Sequence, residues 1–361
     1  MVANKDQPVA IIVSRNFNPG HYSHLVANYK LFSENDIDVY MYHHPRFNKM
    51  SVIEHSRIIN RLADLKALEK VDLAVFWFPS VKNIIDILLL KILYRTRVVY
   101  VFHEPFESLK SYYDAGFSTL KTFRIVLISL INYILVLLSS KIILTSSKAY
   151  ETFEAKYSHT HKPFRLTPLM FDDEVVQLNT RLQRSFISYI GTIAEDHAFN
   201  EFVKFAVCAI VKKWYPGYKF LIATRSTLPP YERSLLLSHI ESGAVVINES
   251  NPMSNEEINN FYNSSVVVWN SYKRSMQSGV LPKAYMFGTP LIVSLNNVSE
   301  YFYNHQTGVL VGNDYLAGDL KNAVDEILKN FDEYSGYCRN KFLQVFYYKK
   351  HATEFVRFVF E

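Results

Sequence analysis

Short apolar runs alternate with longer amphipathic runs along the whole chain, and this alternation constrains the fold more than any other feature. Up to residue 147, five runs read as strands: Val9–Ser14, Ile37–Tyr42, Asp72–Phe78, Arg97–Phe102 and Lys141–Ser147. Helical patterns between the first four cover Leu25–Ser33, Glu54–Leu68 and Asn83–Leu93. Near-continuous apolar strands separated by helices are typical of a parallel sheet covered on both faces. The first half is therefore predicted to be a doubly wound α/β domain.

The same alternation begins again near residue 185. The predicted strands of this second region are Ser185–Gly191, Lys219–Thr224, Ala244–Asn248, Ser265–Asn270 and Pro290–Ser294. A helix is predicted over Asn200–Lys213, and Ser254 and Glu257 form a capping-box pattern at the start of a helix that ends at Tyr262.

Two Rossmann-like domains follow from this pattern, at residues 1–167 and 185–340. Residues 168–184 are polar and irregular and are predicted to be a linker, and a C-terminal helix in residues 341–361 is expected to pack back on the first domain. Ligands of such sheets bind at the carboxyl ends of the strands. The two domains are therefore expected to face each other across a cleft that holds the substrates.

The composition excludes several classes of protein. The chain of 361 residues contains 11 glycines, and none forms a G-x-G-x-x-G dinucleotide motif or a P-loop. Hydrophobic residues make up 49% and charged residues 20%, which excludes a disordered protein. The two cysteines, Cys208 and Cys338, form no disulfide framework and suit a reducing compartment. No signal peptide is visible, because the apolar stretch Val9–Val13 is short and is soon followed by Arg15.

Two further features suggest an anionic or lipid partner. Residues 1–165 carry 21 Lys and Arg against 14 Asp and Glu, whereas the remainder carries 18 against 20; a basic half facing an anion and a chance distribution both explain this. In Ile125–Leu138 only Ser129 and Asn132 are polar, but the stretch is too short to span a bilayer. It is predicted to be either a core helix or a helix in the membrane interface.

The segment Ser271–Ser294 has the pattern of a ligand-binding connection between two strands. Gln277, Ser278 and Gly279 form a polar loop, and Pro282 suits the first turn of a helix that contains Val280 and Leu281. Backbone N–H groups at such a loop-to-helix junction can bind a diphosphate, and Gly279 would let the backbone approach it. An ordinary βαβ connection is the alternative.

This segment resembles the donor-binding region of GT-B glycosyltransferases of the family-4 type, also called glycosyl transferases group 1. The resemblance lies in Gly279, Ala284, Gly288 and the run Pro290–Ile292. The pair Glu300 and Gly308, the opening Gly191, and His103 with Glu104 also match the family pattern. The resemblance implies a GT-B fold and a metal-independent, hexosyltransferase-like enzyme with a nucleotide-diphospho-sugar donor, no other cofactor and retention of configuration.

Some residues depart from the family pattern at the donor site. Thr192 and His197 stand where the family has Arg and Lys, and Lys283 stands where it has Glu. Because a diphosphate needs positive charge, Arg225 and Lys283 are predicted to supply it. The predicted donor set is Gly191, Thr192, Arg225, Gln277, Ser278, Gly279, Val280, Leu281 and Lys283.

The first domain supplies the remaining candidates. The resemblance gives His103 and Glu104 catalytic roles, although Glu104 is equally suited to capping the next turn. Gly20, His21 and His24 follow the first strand, where the resemblance implies acceptor binding. The two histidines would make half a metal site, and Asp36-Ile37-Asp38 has a D-x-D form, but Asp is common in turns and no metal is expected.

The predicted function is transfer of a sugar to a lipid-linked or polysaccharide acceptor in surface glycan biosynthesis. The protein is expected in the cytoplasm, peripheral at the inner face of the cell membrane, with no nucleic-acid partner. A non-catalytic binding or scaffold protein on a degenerate GT-B fold is an alternative, because the usual Arg, Lys and Glu are replaced. A sugar-nucleotide epimerase is another, and it would need acid and base carboxylates besides Glu104.

Overall fold

Residues 7–49, 52–61, 64–65, 68–103, 107–249, 253–274 and 278–361 are described by a computed structural model. Glu104 and Gln277, to which the sequence assigns roles, lie outside these ranges. The chain divides into two units. Unit 1 comprises Met1–Tyr112, Ser118–Asp172 and Val345–Glu361; unit 2 comprises Tyr113–Phe117 and Asp173–Gln344.

The sheet of unit 1 is parallel throughout. Its strands are β1 (Val9–Ser14), β2 (Asp38–His43), β3 (Leu73–Trp77), β4 (Arg97–Phe102), β5 (Lys141–Leu144) and β6 (Phe164–Leu166). They lie in the order β2-β1-β3-β4-β5-β6. The five predicted strands are confirmed with small shifts of their ends, whereas β6, which is three residues long, was not predicted.

Helices connect these strands, with one departure from the prediction. They are α1 (Tyr22–Ser33), α2 (Val81–Tyr94), α3 (Leu109–Asp114), α4 (Thr119–Leu138) and α5 (Ser147–Tyr157). The predicted helix over residues 54–68 is wrong for the described residues, which begin with a single 3-10 turn at His55–Arg57. Ile58 bridges Met41 and Ile59 N donates to Met41 O at 2.8 Å, so buried apolar residues here run alongside β2 rather than along a helix.

Unit 2 contains a second parallel sheet. Its strands are β7 (Phe186–Ile190), β8 (Lys219–Ala223), β9 (Val245–Asn248), β10 (Ser265–Asn270), β11 (Leu291–Ser294) and β12 (Gly308–Val311), in the order β12-β11-β10-β7-β8-β9. Its helices are α6 (Phe199–Val211), α7 (Pro230–Glu241), α8 (Asn255–Asn263), α9 (Val280–Met286), α10 (Ala317–Lys329) and α11 (Phe331–Lys341). The capping box is confirmed: Glu257 N donates to Ser254 Oγ at 3.1 Å and Ser254 N to Glu257 Oε2 at 2.7 Å.

The end of the chain is not one continuous helix. A π-helical turn at Phe342–Phe346 and a 3-10 turn at Tyr348–Lys350 precede α12 (Ala352–Phe360). Within unit 1, the ring of Phe355 lies 6.0 Å from that of Phe32, and Tyr348 Oη donates to Glu34 at 2.7 Å. Residues from 345 onwards therefore contribute to the core of unit 1.

Helix α4 is longer and more exposed than a core helix would be. It extends the predicted apolar stretch to 20 residues, and among the described helices it is the one long and apolar enough to cross a membrane. Asn132, Leu135 and Val136 are fully buried against the sheet, whereas Leu120, Phe123 and Leu130 are more than half exposed. A core interpretation thus fits one face of the helix only.

Candidate functional site

The strand orders place a potential ligand site at one end of each sheet. In a doubly wound sheet, ligands bind at the carboxyl ends of the two strands where the order reverses. In unit 2 that point lies between β7 and β10, and in unit 1 it lies between β1 and β3. We call the described loop residues after β7 and β10, at 191–198, 271–274 and 278–279, the unit 2 edge. Residues 15–21, 78–80 and 103, which follow β1, β3 and β4, are the unit 1 edge.

Tyr272 is the centre of the unit 2 edge. A Cβ atom placed on Gly191 would lie 3.9 Å from both Tyr272 Oη and Val280 Cγ2, and Ser278 is hydrogen-bonded to the same hydroxyl. The ring of His197 stacks on that of Tyr272 with centroids 4.5 Å apart. The structure thus brings together three of the predicted donor residues, Gly191, Ser278 and Val280, around a tyrosine that the sequence did not single out.

A buried ion pair joins the two loops of this edge. Arg274 Nε lies 2.7 Å from Asp196 Oδ2, and the side chains are 6% and 2% exposed. The Asp196 carbonyl also accepts from Lys273 N at 2.8 Å. Burial lowers the pKa of His197, which favours its neutral form. Arg274 therefore brings a guanidinium to the loop in which the family pattern has cations and this chain has Thr192 and His197.

Lys283 has its charge compensated within unit 2. Its Nζ lies 2.6 Å from Glu174 Oε2 and 2.8 Å from Asn259 Oδ1. Glu174 Oε2 also accepts from the side-chain amides of Asn255 and Asn259. Burial alone would raise the pKa of Glu174, but Lys283 and the two amides hold it below its usual value. The carboxylate that the family pattern has at position 283 is here replaced by a Lys bound to a carboxylate from residue 174.

The other donor candidates frame the same edge. Arg225 follows β8 and is partly buried, which lowers its pKa. The Thr192 carbonyl accepts from Tyr189 Oη at 2.7 Å, so the backbone oxygen of that residue is already hydrogen-bonded within unit 2. Leu281 is buried in α9, a helix of only seven residues, and Gly279 precedes it with φ −68°. Because α9 is so short, its dipole contributes less than the sequence pattern suggested.

The unit 1 edge contains a group of packed aromatic rings. His21 stacks on Phe78 with ring centroids 3.6 Å apart, and His103 meets Phe78 edge-on at 5.1 Å. Burial lowers the pKa of His103 to about 4, so its imidazole is neutral at physiological pH. Phe78 has φ +64°, a left-handed conformation that is costly for an aromatic residue and clusters at functional sites. The predicted catalytic His103 and acceptor His21 thus contact the same ring, and their own ring centroids lie 6.1 Å apart.

His24 lies apart from this group. It is 2% exposed, its ring is parallel to that of Trp77, and its Nδ1 lies 3.2 Å from Met170 O. These contacts leave no surface for an acceptor, so the acceptor role of His24 is not kept. Gly20 stays at the unit 1 edge, in the 3-10 turn Pro19–His21, where its N–H donates to Asn18 Oδ1 at 3.1 Å.

Three buried polar atoms lie in one row at the ends of β2, β1 and β3. Ser14 on β1 pairs with His43 on β2. Val13 on β1 pairs with Phe76 on β3, so the residues that follow on the two strands, Ser14 and Trp77, lie side by side. Within the described part of the chain, Ser14 Oγ, His43 Nε2 and Trp77 Nε1 have no hydrogen-bond partner. Buried polar atoms are rarely left unpaired, and this row therefore marks the same end of the sheet as the aromatic group.

The metal candidates of the sequence have other contacts. Asp38 pairs with Arg57 and accepts from Tyr40 Oη, and His21 Nε2 lies 2.9 Å from Asn18 Nδ2. Across the residues that the structure describes, no group of three or more His, Cys, Asp or Glu side chains is arranged to hold a metal ion.

Comparison with known proteins shows the fold. No protein-family model matches the chain, and no curated protein matches it in sequence. Among solved structures, sucrose-phosphate synthase from Thermosynechococcus elongatus superposes with a TM-score of 0.72 at 15% identity over 98% of each chain. The chain has the GT-B fold. HepE of Anabaena, solved with UDP-glucose, has a TM-score of 0.68 at 10% identity, covering 97% of this chain and 99% of that one. WaaG, a glycosyltransferase involved in lipopolysaccharide biosynthesis, has 0.61 at 10%, with 93% and 94% covered.

Proposed function

We propose that this GT-B protein is a glycosyltransferase that takes a sugar from a nucleotide-diphospho-sugar bound to unit 2. The observation that carries the proposal is the unit 2 edge, where Gly191, Tyr272 and Arg274 meet at the point of strand reversal. HepE, which shares the fold, was solved with a donor of this class.

The donor diphosphate would be held by Arg225 and by backbone N–H groups near Gly279, while Arg274, whose charge Asp196 compensates, would position the loop. Such groups stabilise the charge that develops on a departing diphosphate, and they do so without a metal ion. Lys283 is a weaker candidate, because Glu174 already compensates its charge. By resemblance we propose a hexosyl transfer with retention of configuration.

The acceptor would bind at the unit 1 edge, on the group of rings formed by His21, Phe78 and His103. Aromatic faces suit the apolar faces of sugars, and a neutral imidazole can donate and accept hydrogen bonds to hydroxyl groups. We propose a lipid-linked or polysaccharide acceptor in surface glycan assembly, on the cytoplasmic side of the cell membrane. The part that WaaG plays in lipopolysaccharide biosynthesis supports this choice.

Thermal unfolding with a panel of nucleoside diphosphates and their sugars tests the donor site. A ligand that binds the folded chain at 100 times its Kd raises the free energy of unfolding by about 2.7 kcal/mol. The Arg225→Ala variant should lose this stabilisation, whereas Lys329→Ala, which removes an exposed cation at the end of α10, should keep it. A chain that no nucleotide stabilises and that transfers no sugar would contradict the proposal.

Lys283 needs a double variant, because its loss affects stability as well as binding. Removing one partner of a buried pair costs about 3–5 kcal/mol, whereas removing both is often nearly neutral. If Lys283 contacts the donor, Lys283→Met with Glu174→Leu should recover stability but not nucleotide affinity. If it is structural, the double variant should recover both.

A non-catalytic nucleotide-binding protein is the second candidate. It is favoured by the ion pair of Lys283 with Glu174 and by the absence of family cations at Thr192 and His197. Nucleotide binding without hydrolysis or transfer would support it. An epimerase is disfavoured, because the carboxylates of Asp196 and Glu174 are both engaged in ion pairs.

A further inference from the structure

Helices α2 and α4 lie side by side on one face of the sheet of unit 1. Helix α2 connects β3 to β4, and α4 lies in the connection from β4 to β5. Both connections are right-handed crossovers to the next strand in the same direction along the sheet, so both helices lie on the same face. Their outer sides carry large apolar side chains at least 36% exposed, which we call the apolar helix face. Its members are Val81, Ile85, Leu88, Leu89, Ile92 and Leu93 on α2, with Leu120, Phe123, Val126, Leu127, Ile128, Leu130, Tyr133 and Leu137 on α4.

The exposure of these side chains is large and is concentrated on two neighbouring helices. Ile92 is 75% exposed, Leu120 63% and Leu130 56%. Single apolar residues at a surface are ordinary, but a contiguous apolar patch marks a binding surface or an aggregation hazard. The spacing of three and four residues, as in Ile85, Leu88 and Ile92, keeps the exposed residues on one side of the helix.

The inner side of α4 fixes this helix to the sheet and prevents it from spanning a bilayer. Asn132 is fully buried and its Oδ1 accepts from the hydroxyl of Tyr100 on β4. Leu135 and Val136 belong to the core of unit 1. Leaving the sheet would break these contacts. The helix can therefore meet a bilayer only lengthwise, in the plane of the interface.

The exposed charges on α2 and α4 have one sign. The two helices contain a single acidic residue, Asp86, which is 6% exposed and pairs with Arg15 at 2.8 Å. Exposed cations flank the apolar helix face: Lys82 and Arg95 lie at the two ends of α2, and Lys121 and Arg124 lie in the first turns of α4. An apolar centre with a basic border complements an anionic bilayer surface.

We propose that the apolar helix face binds the surface of an anionic lipid bilayer, with both helices parallel to the membrane plane. Its apolar side chains would enter the boundary between headgroups and acyl chains, and the flanking cations would contact the headgroups. This deepens the proposed function, since it would hold unit 1 where lipid-linked acceptors reside. It requires no sugar transfer, so vesicle binding and nucleotide binding can fail independently.

Flotation of the full chain with vesicles tests the apolar part of this surface. We expect the protein to float with vesicles containing about one third phosphatidylglycerol and more weakly with phosphatidylcholine alone. Ile92→Glu with Leu130→Glu should abolish flotation. The control pair Val211→Glu with Leu237→Glu changes side chains of unit 2 that are 68% and 55% exposed, and it should float like the parent. Equal flotation of both pairs, or none by the parent chain, would overturn the proposal.

The role of the basic border is tested by removing its positive charges while the apolar side chains are left unchanged. The triple variant Lys82→Gln, Lys121→Gln and Arg124→Gln should weaken binding to the anionic vesicles about fivefold per cation, or on the order of 100-fold in all. The matched control, Lys204→Gln, Lys212→Gln and Lys329→Gln, removes three exposed cations of unit 2 and should change little. Equal losses in both triples would mean that net charge, rather than this border, directs binding, and would overturn its assigned role.

Two further outcomes would also contradict the proposal. The first is a dimer in the absence of lipid, detected by light scattering, that the double variant Ile92→Glu with Leu130→Glu dissociates. Such a dimer would mean that a second copy of the chain covers the apolar helix face. Bound protein that resists extraction by alkaline carbonate would show a spanning helix rather than an interfacial one. We expect a monomer that carbonate releases.

Discussion

The two edges occupy corresponding places in two sheets, yet they are held together by different chemistry. At the unit 2 edge, buried charges join the loops through Arg274 and Asp196. At the unit 1 edge, rings of His21, Phe78 and His103 pack on one another, and His103 is uncharged. Doubly wound topology thus provides the position, while the side chains differ: a buried ion pair joins the loops of the unit 2 edge, and a group of aromatic rings packs at the unit 1 edge beside the Arg15–Asp86 pair.

The largest change in the free energy of unfolding should come from breaking the buried ion pair at the unit 2 edge. Arg274→Leu leaves the buried Asp196 carboxylate without its guanidinium partner, with only His197 Nε2 at 3.7 Å, so the free energy of unfolding should fall by about 3–5 kcal/mol. Chemical denaturation measures this change. Arg274→Leu with Asp196→Leu should recover most of the loss, and a single variant that loses less than about 1 kcal/mol would show that the charges do not hold the loops.

The next effect concerns the neutral imidazole at the unit 1 edge. The pKa of His103 is about 4 in the folded chain and about 6.5 in the unfolded chain. As the pH falls, the unfolded chain is therefore protonated at this residue before the folded chain is. The free energy of unfolding should therefore decrease between pH 6.5 and 4, by at most about 3 kcal/mol from this residue. His103→Phe should remove that part of the slope in denaturation measured across this range. An unchanged slope would mean that His103 ionises freely in the fold.

A smaller loss is expected from the stacked pair at the same edge. His21→Ala removes the ring that lies 3.6 Å from Phe78, and an aromatic pair contributes about 0.5–1.5 kcal/mol beyond its buried area. The comparison predicts a raised acceptor KM with an unchanged nucleotide-induced shift in Tm. If His21→Ala instead weakens nucleotide binding, the assignment of the two edges to different substrates is wrong.

The smallest effect on stability is expected at Gly279. Its φ of −68° is open to alanine, so Gly279→Ala should leave the free energy of unfolding unchanged or raise it by up to about 1 kcal/mol. Nucleotide affinity should nevertheless fall, because the new Cβ would keep a phosphate from the backbone. Calorimetry of nucleoside diphosphate binding checks this. Undiminished affinity would place the diphosphate elsewhere.

The sequence predicts the sheets well because strands that are buried on both faces of a parallel sheet consist of nearly continuous runs of apolar residues. It fails where the pattern is short or ambiguous. β6 has three residues with Phe164 and Leu166 exposed, and the apolar spacing around Ile58 reflects packing beside β2 rather than a helix.

The candidate site is predictable only in part, for a related reason. Gly191 and Ser278 could be assigned because a glycine or a polar loop after a strand is a local signal. Arg274 finds its partner 78 residues away and Lys283 finds Glu174 109 residues away, and such pairings follow from the fold alone. Tyr272 carried no signal, because a buried tyrosine in an aromatic-rich chain has the same sequence pattern as any core residue.

The return of the last residues to unit 1 determines the order in which the chain can finish folding. Phe355 and Val359 are buried in unit 1, and the Phe358 carbonyl accepts from Lys141 Nζ at 2.5 Å. On the ribosome these residues emerge only after all of unit 2 has been made. Unit 1 is therefore completed only after unit 2 has been made, and a protease that cuts between the units would not release unit 1 as one covalent piece.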